Sequence, residues 1–142
     1  MYWFFIIFST IIISIRNIVS IFIEKNSNFL YFLSLIIYLL YWYKIIKKSS
    51  YLKSLDVNFL KFSFIFWIIF LLCNIMMFFW QSYEVYFPLF SPFIIFSYSL
   101  LWGLSFLSND FRFLLFINYI ISLFFIYISK RYLIRVYKED NK

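Results

Sequence analysis

Apolar residues fill this chain in long stretches that only a few charged or amide residues interrupt. The clearest stretch covers residues 62–80, FSFIFWIIFLLCNIMMFFW, nineteen residues without a charge that directly follow Lys61. As a helix rising about 1.5 Å per residue, it spans roughly 28 Å, close to the bilayer's hydrocarbon thickness of about 30 Å. The pattern therefore predicts a membrane-spanning helix at the centre of the chain.

The few polar positions of this helix lie on one side of it. Trp67, Asn74 and Gln81 stand at offsets of 4, 11 and 18 from Ser63, and these offsets stack on one helical face. We expect that face to contact protein, and the Phe and Ile faces to contact lipid. Asn74, deep in the apolar layer, would either fix the helix register by an interhelical hydrogen bond or line a hydrated path.

Four further apolar stretches extend this interpretation to the whole chain. The sequence predicts an all-α integral membrane protein, a bundle of about five (four to five) transmembrane helices in a single membrane domain over residues 1–142. The candidate spans are residues 2–23, 29–43, 62–80, 88–107 and 113–129, with a basic loop at 44–61 and a basic C-terminal tail at 130–142. We interpret the tail as an amphipathic anchor at the membrane interface, with lipid-specific or protein-docking roles as alternatives.

The fourth candidate span has two prolines near its start. Because proline cannot donate a backbone hydrogen bond, a helix begins most naturally with Ser91 as its cap and Pro92 as its first residue. It would run to about Leu107, past Gly103, the single glycine of the chain. Sixteen residues reach only about 24 Å, so this element is either a short crossing or a re-entrant hairpin.

The distribution of charge bears on the same choice. The positive-inside rule places the basic loop and the basic tail on one side of the membrane, which requires an even number of crossings between them. The five candidate spans put three crossings there. Either the fourth element is re-entrant, leaving four crossings in total, or neighbouring subunits override the charge rule.

Arg16 interrupts the first apolar stretch and allows two interpretations. Its side chain either snorkels along its own stem to the interface, or it is an intramembrane charge that lines a polar path. The residues that we single out as a candidate polar path or helix contact are Arg16, Ser63, Trp67, Asn74 and Asn118.

Composition restricts the chemistry. The chain has 65% apolar and 29% aromatic residues, no histidine and a single cysteine, Cys73. An internal disulfide is therefore excluded, and His-ligated haem or a transition-metal centre lacks ligands. No candidate span contains a carboxylate, and the net charge of +7 comes from residues at span ends, which indicates orientation and no nucleic-acid partner. We thus predict no catalytic, cofactor-binding or metal-binding residue and no cofactor.

The residue usage also indicates an origin. Alanine is absent, and Phe, Ile, Tyr, Leu, Lys, Asn and Ser, whose codons are mostly rich in A and T, fill the chain. An AT-rich organelle genome, such as a protist's mitochondrial one, would produce this bias, and organelle-made proteins are typically very hydrophobic membrane subunits.

The order of elements resembles chain 6 of mitochondrial NADH:ubiquinone oxidoreductase, respiratory complex I. FFIIFSTIIISIRNIVSIFIEKNSNFLYFLSLIIYLL looks like that family's first two helices and their short turn, and GLSFLSNDFRFLLFINYIISLFFIYISKRYL is similar to its last loop and final helix. The family's third helix carries a π-bulge at a glycine-containing run. Here the corresponding run, FIFWIIFLLCNIMM, has neither glycine nor tyrosine, so the resemblance implies that any switch depends on Trp67 and Asn74.

The resemblance implies a core, non-catalytic membrane subunit of the proton-pumping arm of that enzyme, multi-pass in the mitochondrial inner membrane and without its own redox centre. Its partners would be other membrane subunits of the complex and phospholipids such as cardiolipin. The alternative is a lineage-specific structural membrane subunit of complex III, complex IV or ATP synthase. A small transporter is the third class.

Overall fold

The computed structural model describes residues 2–23, 29–49, 55–85, 88–100, 102–108 and 110–140. Over these ranges the chain is helical apart from short turns, and no strand occurs in them. The elements are α1 (Tyr2–Ile23), α2 (Phe29–Ser49), α3 (Leu55–Tyr83), α4 (Ser91–Leu100) and α5 (Phe111–Asp140), with a 3-10 helix, Trp102–Phe106, between α4 and α5. The prediction of an all-helical fold is confirmed.

Three of these helices are long and apolar enough to cross a membrane. They are Phe29–Ser49, Val57–Tyr83 and Phe111–Lys138, while α1 contributes the shorter apolar stretch Ile6–Val19. Many large apolar side chains on these helices point outward, for example Ile15, Leu40 and Phe116, each about 60% exposed. Three apolar helices of this length, with apolar outer faces, are characteristic of a membrane protein.

α3 and α5 form the central antiparallel pair. The hydroxyl groups of Ser63 and Ser129 hydrogen bond at 2.9 Å, and the rings of Trp67 and Phe125 stack with centroids 4.5 Å apart. Later residues of α3 therefore contact earlier residues of α5, so the two helices run antiparallel. The end of α3 and the beginning of α5 consequently lie at the same end of the bundle.

α1 and α2 pack antiparallel to each other and beside this pair. The Thr10 hydroxyl lies 2.6 Å from the Tyr38 hydroxyl, and the Arg16 guanidinium donates to Ser34 at 2.7 Å, so the two helices run in opposite directions. The ring of Trp42, near the end of α2, contacts that of Phe66 in the first half of α3, with centroids 5.2 Å apart. Four long helices thus alternate in direction.

α4 and the 3-10 helix, together named the α4 segment, do not traverse the bundle. Because α3 ends and α5 begins at one end, the chain between them leaves from and returns to that end. Of the two alternatives for the candidate span 88–107, a short crossing or a re-entrant hairpin, this path corresponds to the hairpin: α4 has only 10 residues and the 3-10 helix 5. Ser91 also differs from the predicted cap, since its hydroxyl donates back to the Pro88 carbonyl at 2.9 Å.

The helices extend beyond several predicted boundaries. α1 covers the same residues as the first candidate span, but α2 continues to Ser49 and α3 already begins at Leu55. The predicted basic loop 44–61 is thus largely helix, with residues 50–54 outside the described ranges. Lysines sustain a helix as well as apolar residues do, so a change from apolar to basic sequence marks a change of surroundings and not a helix end.

The basic tail is likewise part of a long helix. α5 continues without a break to Asp140, and the tail residue Val136 is buried in the main apolar core. The predicted interfacial anchor is therefore not a separate element, because apolar positions every three to four residues keep the tail packed on the bundle. Residues 141–142 lie outside the described part of the chain.

The ends of the bundle differ in charge. One end, where α2 ends, α3 begins and α5 ends, is named the basic end; its exposed cationic side chains are Lys44, Lys47, Lys48, Lys61, Lys130, Arg131, Arg135 and Lys138. Asp56, Glu139 and Asp140 belong to the same helix ends by position. The described charged side chains toward the opposite end are Arg16, Glu84, Asp110 and Arg112, which balance.

The described backbone of α3 is regular. It is α-helical from Leu55 to Tyr83 and contains no π-helical turn, unlike the third helix of the family that the sequence resembles. A π-bulge inserts one residue into the turn and is commonly found at functional sites. In this chain the bulky run of Trp67 to Asn74 instead continues the regular helix.

Candidate functional site

A polar seam between α3 and α5 is the candidate functional site. It is the set of buried Ser, Asn and Trp residues on the facing sides of the two helices: Ser63, Trp67 and Asn74 from α3, and Asn118, Ser122 and Ser129 from α5. Four of the five residues singled out in the sequence lie in it. Gln81, placed on the same face by its spacing, is exposed beyond the seam, where α3 approaches its end.

Both helices build the seam with the same spacing. In α3 the positions are Ser63, Trp67, Phe70 and Asn74; in α5 the matching positions, in reverse order along the chain, are Ser129, Phe125, Ser122 and Asn118. Small hydroxyl residues allow close approach at one end, and aromatic rings fill the middle. The spacing of 4, 3 and 4 residues keeps every member on one face of its helix.

The centre of the seam is an aromatic cluster. Trp67 is fully buried, stacks on Phe125 and contacts the ring of Trp42 edge-on, with centroids 5.5 Å apart. Trp42, also fully buried, brings α2 into the same cluster and stacks on Phe66. Offset and edge-on aromatic pairs each contribute about 0.5–1.5 kcal/mol beyond the area they bury. Trp67 therefore packs α3 against both α2 and α5.

The two seam asparagines differ in their hydrogen bonds. Asn74 Nδ2 donates to the Phe70 carbonyl at 3.1 Å, one turn earlier in its own helix. The predicted interhelical bond from Asn74 is absent among the described residues. The α3–α5 register places Asn118 at the level of Asn74, and Asn118 Oδ1 is buried and accepts no hydrogen bond from any described residue. An unpaired buried carbonyl typically costs about 1–3 kcal/mol.

A groove opens beside Asn74 toward the end opposite the basic end. Its volume is about 360 Å³, and its walls are Ile75 and Phe78 from α3 and Leu115, Phe116 and Tyr119 from α5, with Asn74 at its inner end and Arg112 at its outer end. The walls are almost entirely apolar. This groove lies next to the seam and combines a cation with apolar walls.

Arg16 is separate from the seam and belongs to the contact between α1 and α2. Its guanidinium donates to the Ser34 hydroxyl and lies over the Tyr31 ring, 4.4 Å from the centroid. Both contacts come from α2, so Arg16 joins two helices. The side chain is exposed and does not face the four other residues singled out in the sequence.

Its neighbour Asn17 holds the α4 segment against α1. Asn17 is 1% exposed, and its Nδ2 donates to the Ser99 carbonyl at 2.7 Å. The last carbonyls of a helix lack partners within the helix, and α4 ends at Leu100, so this amide supplies a missing donor at its end. Next to it, Gly103 packs so closely on α2 that an added Cβ would lie 2.6 Å from the Tyr31 carbonyl oxygen.

Four buried positions were not singled out from the sequence: Ser122, Ser129, Asn17 and Gly103. The spacing of Ser122 and Ser129 was a signal for their position, because they fall 4 and 11 residues after Asn118, on the same face of the helix. Gly103 carried one as well, being the sole glycine of a chain of bulky residues. Asn17 carried none, since its partner is 82 residues away in sequence and a backbone carbonyl.

The seam offers hydrogen-bonding and aromatic groups and no ionisable carboxylate. Among the residues that the structure describes, no three His, Cys, Asp or Glu side chains gather as a metal site would require. Buried hydroxyls and amides between apolar helices fix their register and orientation. The geometry thus supports helix assembly, and it provides no acid or base for chemistry at the seam.

Replacing Ser63 with alanine is expected to weaken the α3–α5 pair. The change removes the hydroxyl partner of Ser129, and interhelical hydrogen bonds in membranes contribute about 0.6 kcal/mol on average, with a maximum near 1.7. Unfolding of the detergent-solubilised chain measures the loss. In a cycle with Ser129→Ala, the double variant should lose no more than either single variant; fully additive losses would contradict a direct bond.

Replacing Asn74 with leucine is expected to change bundle stability by less than about 0.5 kcal/mol, because the amide bonds only within its own helix. Unfolding of the same preparation measures this, with Ser63→Ala as the comparison. A loss above about 1 kcal/mol, clearly beyond the average for an interhelical hydrogen bond, would show that Asn74 fixes the helix register after all.

Comparison with protein-family models, with curated proteins and with solved structures finds no match to this chain.

Proposed function

We propose that this chain is a non-catalytic, multi-pass membrane subunit of a larger respiratory-chain complex in the mitochondrial inner membrane. The observation that carries the proposal is the combination of apolar outer faces with an interior in which the described residues supply packing groups and no ionisable carboxylate. A self-contained ion carrier normally keeps an ionisable group inside the membrane. The seam of α3 and α5 instead offers aromatic packing and a Ser63–Ser129 bond, which support assembly.

In this proposal the chain crosses the membrane four times, through α1, α2, α3 and α5. The α4 segment enters from the side where α3 ends and returns to that side. An even number of crossings between the basic loop and the tail places both on one side of the membrane, and an odd number places them on opposite sides. With four crossings in total, two lie between them, so all basic helix ends are on one side, as the positive-inside rule favours. The basic end then faces the matrix.

The more specific assignment is the proton-pumping membrane arm of NADH:ubiquinone oxidoreductase. Its support is the resemblance of the first two helices and of the last loop and helix to chain 6 of that enzyme. The chain has no redox centre of its own in this assignment, and its partners are the neighbouring membrane subunits together with phospholipids such as cardiolipin.

A second candidate is a lineage-specific structural subunit of complex III, complex IV or ATP synthase. Two observations favour it: α3 is regular where the first family has a π-bulge, and the α4 segment does not traverse the bundle. Both differ from the five-helix pattern that the resemblance implies.

Identifying the neighbours of the chain separates these assignments. Membranes are solubilised gently, the complex that contains this chain is isolated by native electrophoresis, and its subunits are identified by mass spectrometry. Co-migration with NADH-dehydrogenase activity and its subunits is the expected result. Co-migration with only oxidase, cytochrome bc1 or ATP synthase subunits would establish the second candidate, and a chain that migrates alone would contradict both.

A further inference from the structure

The groove between α3 and α5 runs parallel to the helix axes, from an outer end to an inner end. Arg112, the second residue of α5, lies at its outer end, and Tyr119 lies seven residues deeper, about 10 Å along the helix axis. Between them the walls are apolar, from Ile75 and Phe78 on one side to Phe116 on the other. In the described lining of the groove, the Arg112 cation thus lies at the bundle end and the walls deeper in are apolar.

The surroundings of Arg112 favour an anionic group. Its side chain is exposed, and it stands in the first turn of α5, where the helix dipole adds a partial positive charge. Asp110 is the nearest acidic residue in the sequence, and its Oδ1 accepts the backbone N–H of Arg112 at 2.9 Å, as a helix cap does. The other described arginine toward this end, Arg16, is bonded to Ser34. Arg112 is therefore the guanidinium placed to bind a ligand.

We propose that this groove binds one phospholipid molecule, with its phosphate on the Arg112 guanidinium and one acyl chain between α3 and α5. A guanidinium matches phosphate with paired hydrogen bonds, and the apolar walls match an acyl chain that runs parallel to the helices. The proposal rests on the membrane placement above. It puts this lipid in the leaflet opposite the basic end, so its binding is independent of the lysines there.

The test uses the full chain in phosphatidylcholine nanodiscs, released into the gas phase for native mass spectrometry. The parent chain is expected to retain one phospholipid that Arg112→Gln loses, with retention falling about tenfold, the effect of one charge-assisted contact. Ile75→Trp, which fills the groove, should lose the same molecule. Ile65→Trp, a change at an exposed position of α3 away from the groove, is the matched control and should keep it.

Combining the substitutions makes the test specific. Because both remove one molecule, Arg112→Gln with Ile75→Trp should lose no more lipid than either alone, whereas Arg131→Gln at the basic end should leave the retained lipid unchanged. Circular dichroism verifies that each variant is helical; where Arg112→Gln fails to fold, Ile75→Trp and Ile65→Trp decide. Unchanged retention in folded Arg112→Gln and Ile75→Trp chains would overturn the proposal. So would normal lipid retention in Ile75→Trp together with failed assembly into the native complex, which would assign the groove to a partner helix.

This result does not depend on which complex contains the chain. Loss of the lipid site would leave the subunit identification untouched, and a different set of neighbouring subunits would leave the lipid measurement untouched.

Discussion

Replacing Trp67 with alanine is expected to produce the largest loss of stability of any single substitution in the bundle. The side chain is fully buried and contacts rings from three helices, including Phe125 at 4.5 Å and Trp42 at 5.5 Å between centroids. Truncating a buried tryptophan costs about 3–5 kcal/mol, because the cavity that remains has no partner atoms. Chemical unfolding in detergent micelles measures this change.

Ile69→Ala is the matched control for this prediction. Ile69 lies on the same helix, two residues later, and is 50% exposed on the outer face, so its truncation should cost less than about 1 kcal/mol. Equal losses in the two variants would show that α3 does not pack through its Trp67 face.

Replacing Gly103 with alanine is expected to detach the α4 segment from α2. The new Cβ would lie 2.6 Å from the Tyr31 carbonyl oxygen, 3.0 Å from its carbonyl carbon and 3.1 Å from Leu35 Cβ. The first two atoms belong to the backbone, so rotating a side chain does not relieve the contact. Overpacking of this kind costs about 1–3 kcal/mol, and we expect the upper part of that range.

Protease accessibility of the α4 segment measures this displacement in addition to overall stability. Cleavage near the 3-10 helix should increase in Gly103→Ala, while Leu107→Ala, at a position 51% exposed, should leave cleavage unchanged. Parent-like stability and protection in Gly103→Ala would contradict the close approach of the 3-10 helix to α2.

The sequence predicted the helical class and the buried face of α3 because both follow from local patterns. Runs of apolar residues determine helices of membrane length, and the offsets of Ser63, Trp67 and Asn74 place them on one side whatever the neighbour is. α1 similarly covers its predicted residues. These features depend on positions close together in the chain.

The remaining features depend on contacts between distant positions. An interhelical bond was one of the two alternatives for Asn74, but its own preceding turn offers a carbonyl within reach, and the amide donates to it. The path of the α4 segment depends on Asn17 and Gly103, whose partners are in other helices. The helix ends within 44–61 were not predicted from the sequence. Hydropathy changes at a membrane boundary, whereas helix propensity does not, so the basic residues were assigned to a loop.

In the proposed architecture, the chain between α3 and α5 returns to its own side of the membrane, which leaves four crossings and one basic side. Single cysteines introduced at Lys48, Glu84 and Lys138 test it, each labelled in sealed native membrane vesicles by a membrane-impermeant maleimide, with the parent chain, whose single cysteine is the buried Cys73, as the unlabelled control. We predict that Lys48→Cys and Lys138→Cys label from the same side and Glu84→Cys from the opposite side. Labelling of Lys48→Cys and Lys138→Cys from opposite sides would demonstrate an odd number of crossings between them and contradict this architecture.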